Sequence, residues 1–185
     1  MKPLLLLLFL LSSLAKAQLT TINPDTVCLG SSGSLYQIPI VPLATDYIWT
    51  VASPGSIISG QGTQQIQVDW SSAGPGLIGS AVSVEVITSC PSTPVTLDVF
   101  VLSVNPIIDP LGPFCSSDPC VPLVASPLGG QFIGSGVVGS TFCPSSALLG
   151  INSIQYVYTL GGCTFTSPIT VSVNGSQSIG PIQHD

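Results

Sequence analysis

Basic residues are almost absent from this sequence of 185 residues. Lys2 and Lys16 are its only lysines, it has no arginine, and its one histidine is His184. If residues 1–17 are removed as a leader, the remaining chain carries eight carboxylates, no Lys or Arg, and a formal charge of −8. Such a chain cannot neutralise phosphates, so nucleic-acid binding is excluded. It also offers no lysine nucleophile and no arginine that could bind an anionic substrate.

Groups that perform catalysis or bind metals are scarce as well. A serine nucleophile needs a base, and His184 is next to the last residue of the sequence. The cysteines and the histidine do not cluster in zinc-ligand spacing, and the carboxylates do not form a calcium loop. We therefore expect no enzyme, no catalytic residue, no metal site and no cofactor. Weak calcium bridging by Asp69 or Asp109 stays open, because carboxylates are the ligands that calcium prefers.

The N-terminus has the pattern of a secretory signal peptide. Lys2 precedes the apolar run Leu4–Leu11, and Ala15-Lys16-Ala17 forms an A-x-A cleavage site before Gln18. The apolar run is too short to span a bilayer. We expect residues 1–17 to be cleaved and the chain to be secreted, into the periplasm, the extracellular space or onto the cell surface, without a membrane span.

Residues 18–185 have the composition of an all-β protein. The sequence contains 19 Gly and 17 Pro, which separate short runs of Val, Ile, Thr and Tyr. The first group of predicted strands is Ser34–Ile40, Tyr47–Val51, Ser56–Ser59, Gln65–Trp70, Ser80–Thr88 and Val95–Val104. The second group is Ile107–Leu111, Val121–Ala125, Gly130–Gly134, Ser140–Cys143, Ile154–Leu160 and Ile169–Val173.

The two groups of strands predict two tandem antiparallel β-sandwich domains. Asn105-Pro106 lies between the groups, so we place the first domain at residues 18–104 and a smaller second domain at residues 105–174. Residues 175–185 are predicted to be a flexible tail. Domains this small are near the lower limit for a self-sufficient core, so each needs additional covalent constraints.

Six cysteines in an exported chain predict three disulfides. Pairing within separate domains fixes Cys28–Cys90 in the first domain and leaves three pairings for the other four cysteines. By analogy with the first domain we favour Cys115–Cys163. Cys120–Cys143 is then an additional clamp.

Several segments of the first half carry a family resemblance. They are Thr45–Val51, Pro54–Thr63, Ile66–Trp70 and Gly79–Cys90. In order and spacing they resemble the PKD-like domain, an immunoglobulin-like sandwich of exported, adhesin-type surface proteins of Bacteroidota. The second half looks like a companion Ig-like repeat, in the segments Pro127–Val137, Phe142–Pro144, Ile154–Thr159 and Gly162–Cys163. The resemblance implies Ig-like sandwiches in an extracellular protein.

Four aromatic residues are candidates for the core. Trp49 lies at strand period between Cys28 and Cys90, and in Ig-like sandwiches this position packs on the core disulfide. Trp70 ends an alternating strand on the apolar face. Tyr156 and Tyr158 share one face of a strand, which indicates core packing with hydroxyls near the rim. The alternative for both tryptophans is an exposed platform that binds sugar rings.

Two positions are candidate glycosylation sites. Asn174-Gly175-Ser176 fits the N-glycan acceptor pattern. Asp25-Thr26-Val27 looks like the short O-glycosylation motif of exported Bacteroidota proteins, with Thr26 as the acceptor.

These features favour a non-enzymatic extracellular structural or adhesion module, a disulfide-linked rod of two domains. Its expected partner is a cell-surface protein or another copy of itself, because a surface with so few charges offers little charge repulsion to oppose packing. A carbohydrate-binding module is the alternative from another class, with a glycan as partner. A third interpretation is an accessory subunit of an outer-membrane secretion or gliding machine.

The carboxylates have no internal counter-charge. We therefore expect mutual repulsion to raise their average pKa, and the protein to tolerate mild acid.

Overall fold

The computed structural model describes residues 23–90, 92–175 and 180. The predicted signal peptide (residues 1–17) and most of the predicted tail (175–185) lie outside the described residues. Within them the chain forms strands and one short 3-10 turn, Pro144–Ser146, and no α-helix. The predicted all-β fold class is confirmed.

Seven strands build the first half. They are β1 Asp25–Cys28, β2 Ser34–Gln37, β3 Asp46–Val51, β4 Ser56–Ser59, β5 Gln65–Asp69, β6 Gly76–Ile87 and β7 Val95–Leu102. One sheet has the order β1-β7-β6-β3 and the other β2-β5-β4. Apolar residues alternate along the strands, so that Ile66 and Val68 of β5 are fully buried while Gln65 and Gln67 are exposed. The two sheets share one core.

Nine strands, two to twelve residues long, build the second half. They are β8 Ile107–Ile108, β9 Phe114–Cys115, β10 Val121–Pro122, β11 Ala125–Ser126, β12 Gln131–Gly134, β13 Val137–Val138, β14 Thr141–Phe142, β15 Gly150–Leu160 and β16 Cys163–Asn174. Their sheets have the orders β12-β15-β16-β9, β10-β14-β13 and β11-β8. The β15–β16 hairpin turns at Gly161-Gly162, where both residues have the positive φ that a two-residue hairpin loop requires.

The cores divide in the same way as the sheets. One cluster contains buried residues from Val27 to Val101, and the other two contain residues from Ile108 to Val173. Among the described strands, none joins a sheet of the other half. The chain passes from the sheets of the first half to those of the second half between Leu102 and Ile107. The domain boundary at residues 104 and 105 stays a prediction.

The predicted disulfide between Cys28 and Cys90 is wrong. β1 pairs in parallel with β7, so that Cys28 lies opposite Leu102 at the end of that strand. Cys90 precedes Val95 at the start of the same strand, and the eight residues of that strand span about 23 Å from end to end. Because a disulfide needs Cα atoms within about 7 Å, the two sulfurs cannot meet. Cys90 is an exposed free thiol.

Cys28 is bonded instead to Cys163, with the Cα atoms 5.5 Å apart. Cys163 begins β16 directly after the hairpin turn. A methyl group on Gly161 in that turn would lie 3.2 Å from Leu102 Cδ2, so the turn packs against the end of β7. The disulfide therefore joins the two halves, which the sequence interpretation had treated as separately bonded.

The predicted Cys115–Cys163 pair is wrong for a related reason. β9 pairs with the far end of β16, where Cys115 lies opposite Asn174. Cys163 begins that strand, and eleven residues of strand span about 36 Å. Cys115 is therefore a second exposed free thiol.

Cys120 and Cys143 are bonded to each other, with Cα atoms 4.1 Å apart, which is the pairing favoured from the sequence. These two cysteines flank the antiparallel pairing of β10 with β14, in which Val121 lies opposite Phe142.

Candidate functional site

The contact between the two halves is formed by one strand end and one hairpin turn. The Leu29 amide donates to the Leu102 carbonyl at 2.9 Å, which keeps β1 against β7 up to the point where the other half begins. The Cys163 side chain in the disulfide is 1% exposed. Burial restricts the access of an external thiol to the Cys163 sulfur, while Cys28 is half-buried. The bond at this junction is therefore a structural clamp.

Trp49 and Trp70 both lie in the core of the first half, 5% and 0% exposed. The Trp70 indole N–H donates to the Tyr36 hydroxyl at 3.1 Å, and the Trp49 indole N–H donates to the Thr63 carbonyl at 2.7 Å. Both polar groups are thus satisfied inside the protein. Neither ring offers a face to a sugar, so the carbohydrate-binding interpretation loses its aromatic platform.

Tyr36 is a core residue that the sequence interpretation did not single out. Burial raises the pKa of its phenol well above the usual range, the Trp70 hydrogen bond opposes that shift, and the Asp25 carboxylate adds to it. The phenol is therefore neutral at physiological pH. Its alternation with exposed Leu35 and Gln37 in β2 was the signal that could have placed it in the core.

A cleft of about 640 Å³ opens beside Tyr36, between β2 and the start of β7. Its lining is mostly apolar and includes Asp25, Leu35, Ile38, Val84 and Leu97. Asp25 is the one carboxylate among its described lining residues, and no described His, Lys, Arg or Cys accompanies it. One carboxylate does not provide the paired acid and base that hydrolytic chemistry uses.

Tyr156 uses its hydroxyl inside the second half rather than at the rim. The hydroxyl accepts from the Gly130 amide at 2.7 Å and donates to the Pro127 carbonyl at 2.5 Å. A side chain at position 130 would lie 2.4 Å from Tyr156 Cζ, so glycine is required there. Tyr158 is half-buried against the same cluster. Both tyrosines thus pack within the second half, and the Tyr156 hydroxyl also bonds two backbone groups.

The carboxylates of the described residues are dispersed. No group of three or more His, Cys, Asp or Glu comes together in the part of the chain that the structure describes. At Asp69 the expected rise in pKa is wrong. Hydrogen bonds from the backbone amide and the hydroxyl of Ser71, at 2.9 and 3.0 Å, lower the pKa of that carboxyl.

Asp69→Asn should destabilise the protein at pH 7 and have a smaller effect in acid. Because the pKa of Asp69 is lower in the folded than in the unfolded state, its contribution is fully present above the unfolded pKa of about 3.9. That contribution is lost as the pH falls through the folded pKa. Melting temperatures of both proteins between pH 7 and pH 2 test this, and a difference that widens towards pH 2 would contradict it.

The candidate glycosylation positions are both exposed. Thr26 lies in β1 opposite Phe100, and Asn174 is the last residue of β16, where its carbonyl accepts from the Ser116 amide at 2.8 Å. Ser176, the third residue of the acceptor pattern, lies outside the described residues. Modification at either position stays a prediction.

Comparison with known proteins gives one family match. Residues 15–99 match the family model of the PKD-like domain, a region that runs into β7 of the first half. No curated protein matches the chain. None of the described helical segments is long and apolar enough to cross a membrane. The match to the PKD-like domain model and the two disulfides fit an extracellular structural module.

Proposed function

We propose that this chain is a non-enzymatic extracellular structural module that mediates protein–protein contact in a cell-surface assembly. It acts as a two-domain rod with a leader that is removed on export. The observation that carries the proposal is the Cys28–Cys163 disulfide, which links the two sets of sheets at their junction. A clamp at that place restricts hinge motion between the halves and serves a protein that must hold its partners at a fixed spacing.

The surface supports contact with another protein. Residues 18–185 carry no Lys or Arg, so no basic side chain opposes docking and no intramolecular Lys or Arg ion pair has to be broken. Many large apolar side chains are exposed, among them Leu43 at 84% and Ile151 at 79%. Exposed apolar side chains in clusters are typical of protein interaction sites. PKD-like domains often mediate protein contacts.

An adhesin-type surface protein of a Bacteroidota cell is the context we favour, because the sequence motifs resemble those repeats. The proposal also includes an accessory role in an outer-membrane machine. An adhesin and an accessory subunit both need an exported, non-catalytic contact module, so the same motifs fit either role.

The proposal is tested by treating intact native cells with trypsin. Residues 18–185 contain no trypsin site, whereas a protein partner on the cell surface would be cleaved. We expect the intact mature chain to appear in the supernatant after trypsin treatment, detected with an antibody against the folded protein. The control is the same treatment with heat-inactivated trypsin.

Two other results would contradict the proposal. A chain that resists trypsin release but is freed by polysaccharide-degrading enzymes would be bound to glycan. A chain that survives proteinase K on intact cells and is digested only after the cells are opened would not be at the surface.

A further inference from the structure

Two thiols remain after the disulfides are formed. Four of the six cysteines are bonded, and Cys90 and Cys115 are both free and exposed. An exported protein with unpaired exposed thiols is a candidate for bonds between molecules.

Each free thiol lies at the end of its own half that is farther from the junction. β7 begins at Val95 and runs towards the junction. Cys90 therefore precedes the start of β7, which lies about 23 Å from the Leu102 end at the junction. β16 runs away from the junction and ends at Asn174, opposite Cys115, about 36 Å from Cys163. The two thiols therefore lie away from the junction in different halves, and neither is bonded within the molecule.

Hydrogen bonds hold the backbone that presents each thiol. The Cys90 amide donates to Thr88 Oγ1 at 3.1 Å, and the Thr88 hydroxyl donates to the Cys90 carbonyl at 2.6 Å. At the other end, the Cys115 amide donates to Asp118 Oδ2 at 2.7 Å and the Asp118 amide donates to the Cys115 carbonyl at 3.0 Å. The backbone of Cys90 is thus hydrogen-bonded to Thr88, and Cys115 ends β9 with its backbone hydrogen-bonded to Asp118.

Exposed apolar side chains lie at the same ends of the two halves as the thiols. Seven large apolar residues of the described chain are at least 66% exposed, and six of them lie at these two ends. We call Ile40, Leu43 and Val95 the Cys90 end, and Leu148, Leu149 and Ile151 the Cys115 end. The seventh residue, Leu128, lies in the loop between β11 and β12, at neither end.

Hydrogen bonds hold these side chains at the same strand ends as the thiols. The Thr45 amide donates to the Ile87 carbonyl at 2.8 Å, which holds the loop of Ile40 and Leu43 near the strand end that leads to Cys90. At the other end, the buried Asn152 side chain donates to the Leu148 carbonyl at 2.7 Å and accepts from the Leu148 amide at 3.0 Å.

We infer that copies of this chain join end to end, through a disulfide between Cys90 of one copy and Cys115 of the next. Two thiols each lose a proton and together lose two electrons as the sulfur–sulfur bond forms. The oxidant is a second disulfide, such as oxidised glutathione, whose own bond is reduced to two thiols by exchange. Because this contact is head to tail, it repeats without closing and gives a linear assembly. The inference rests on the proposed extracellular location.

The arrangement of groups favours the head-to-tail bond over bonds between like ends. Joining two Cys115 ends would bring two Asp118 carboxylates together, and residues 18–185 provide no Lys or Arg to compensate them. With that bond disfavoured, joining two Cys90 ends would stop at a dimer and leave Cys115 unused. The Cys90–Cys115 bond uses both thiols and places one Asp118 at each contact.

The test oxidises residues 18–185 with oxidised glutathione and separates the products on non-reducing gels. We expect wild type to give a ladder of multiples that a reductant collapses to monomer. Cys90→Ser and Cys115→Ser should each remain monomeric alone, and an equal mixture of the two should give a dimer and nothing larger.

A second comparison tests the apolar ends. Leu43→Asp should slow ladder formation several-fold, because it places a carboxylate and removes apolar area at the Cys90 end. Leu43 has a positive φ of 63°, a conformation that Asp tolerates, so the variant should fold. Leu128→Asp is the matched control, with the same change on an equally exposed residue that should leave the rate unchanged.

Dimers formed by Cys90→Ser or Cys115→Ser alone would overturn the head-to-tail bond. A wild-type chain that stays monomeric in oxidised glutathione, with both thiols accessible to maleimide, would overturn the end-to-end assembly. If that chain is still released from intact cells by trypsin, the proposed surface function stands without it.

Discussion

Replacing both Cys28 and Cys163 with alanine should lower the free energy of unfolding by about 5 kcal/mol. The disulfide closes a loop with a sequence separation of 135 residues, and long loops restrict the unfolded chain most. It also links the halves, so we expect the variant to unfold in two separate transitions. Urea denaturation followed by circular dichroism and by tryptophan fluorescence measures both effects. Trp49 and Trp70 report on the first half alone.

Two matched variants serve as controls for this result. Cys120→Ala with Cys143→Ala removes a disulfide with a separation of only 23 residues, for which the same relation gives about 3.4 kcal/mol. Cys90→Ala should change stability little, because Cys90 is exposed and unbonded. If Cys90→Ala destabilised the protein as strongly as the loss of Cys28, the assigned pairing would be wrong.

Trp70→Ala should cost about 3–5 kcal/mol, the range for removing a large buried aromatic side chain. Trp70 is fully buried, and its ring also fills the space over Gly55, where an added methyl group would lie 2.3 Å from Trp70 Cζ3. Truncation therefore opens a cavity and leaves the Tyr36 hydroxyl without its donor. The free energy of unfolding from urea titration measures the loss.

The controls separate the cavity from the hydrogen bond. Tyr36→Phe removes the hydrogen bond acceptor and keeps the ring, so we expect a loss of about 1–3 kcal/mol. Leu77→Ala removes a large side chain that is 62% exposed, and it should change stability by less than about 0.5 kcal/mol. A Trp70→Ala protein that is as stable as wild type would contradict the core assignment.

The strands with strict alternation were predictable because burial on one face imposes a period of two. The prediction Gln65–Trp70 exceeds the alternating strand β5 by one residue. The prediction Ser56–Ser59 matches β4, although its sequence does not alternate. The prediction Ser80–Thr88 missed the start of β6 at Gly76. Residues 76–80 precede a register shift against β7, and Ser80 has a positive φ, so the pattern breaks at that point.

The disulfides were not predictable because their pairing depends on contacts between distant segments. β1 was not predicted as a strand, and its parallel pairing with β7 brings Cys28 to the junction. Local sequence carries no signal for a parallel partner about 74 residues away. The assumption that each half forms its own bonds then assigned Cys28 to Cys90, whereas the hairpin turn of the other half supplies Cys163.

The candidate site shows the same division. The burial of Trp49 and Trp70 follows from their strand periods, and the scarcity of catalytic groups follows from composition. The positions of the free thiols, each at the end of its half away from the junction, follow from the two strand registers, which only the assembled sheets define.

The central claim is that one disulfide clamps the two halves together. Disulfide mapping of the monomer is its most direct test. The folded monomer is alkylated with N-ethylmaleimide and then digested with pepsin in acid. The acid prevents thiol–disulfide exchange, and pepsin does not need basic residues in order to cleave. Mass spectrometry should find Cys28 linked to Cys163, Cys120 linked to Cys143, and maleimide on Cys90 and Cys115. Peptides that link Cys28 to Cys90 and Cys115 to Cys163 would contradict the account.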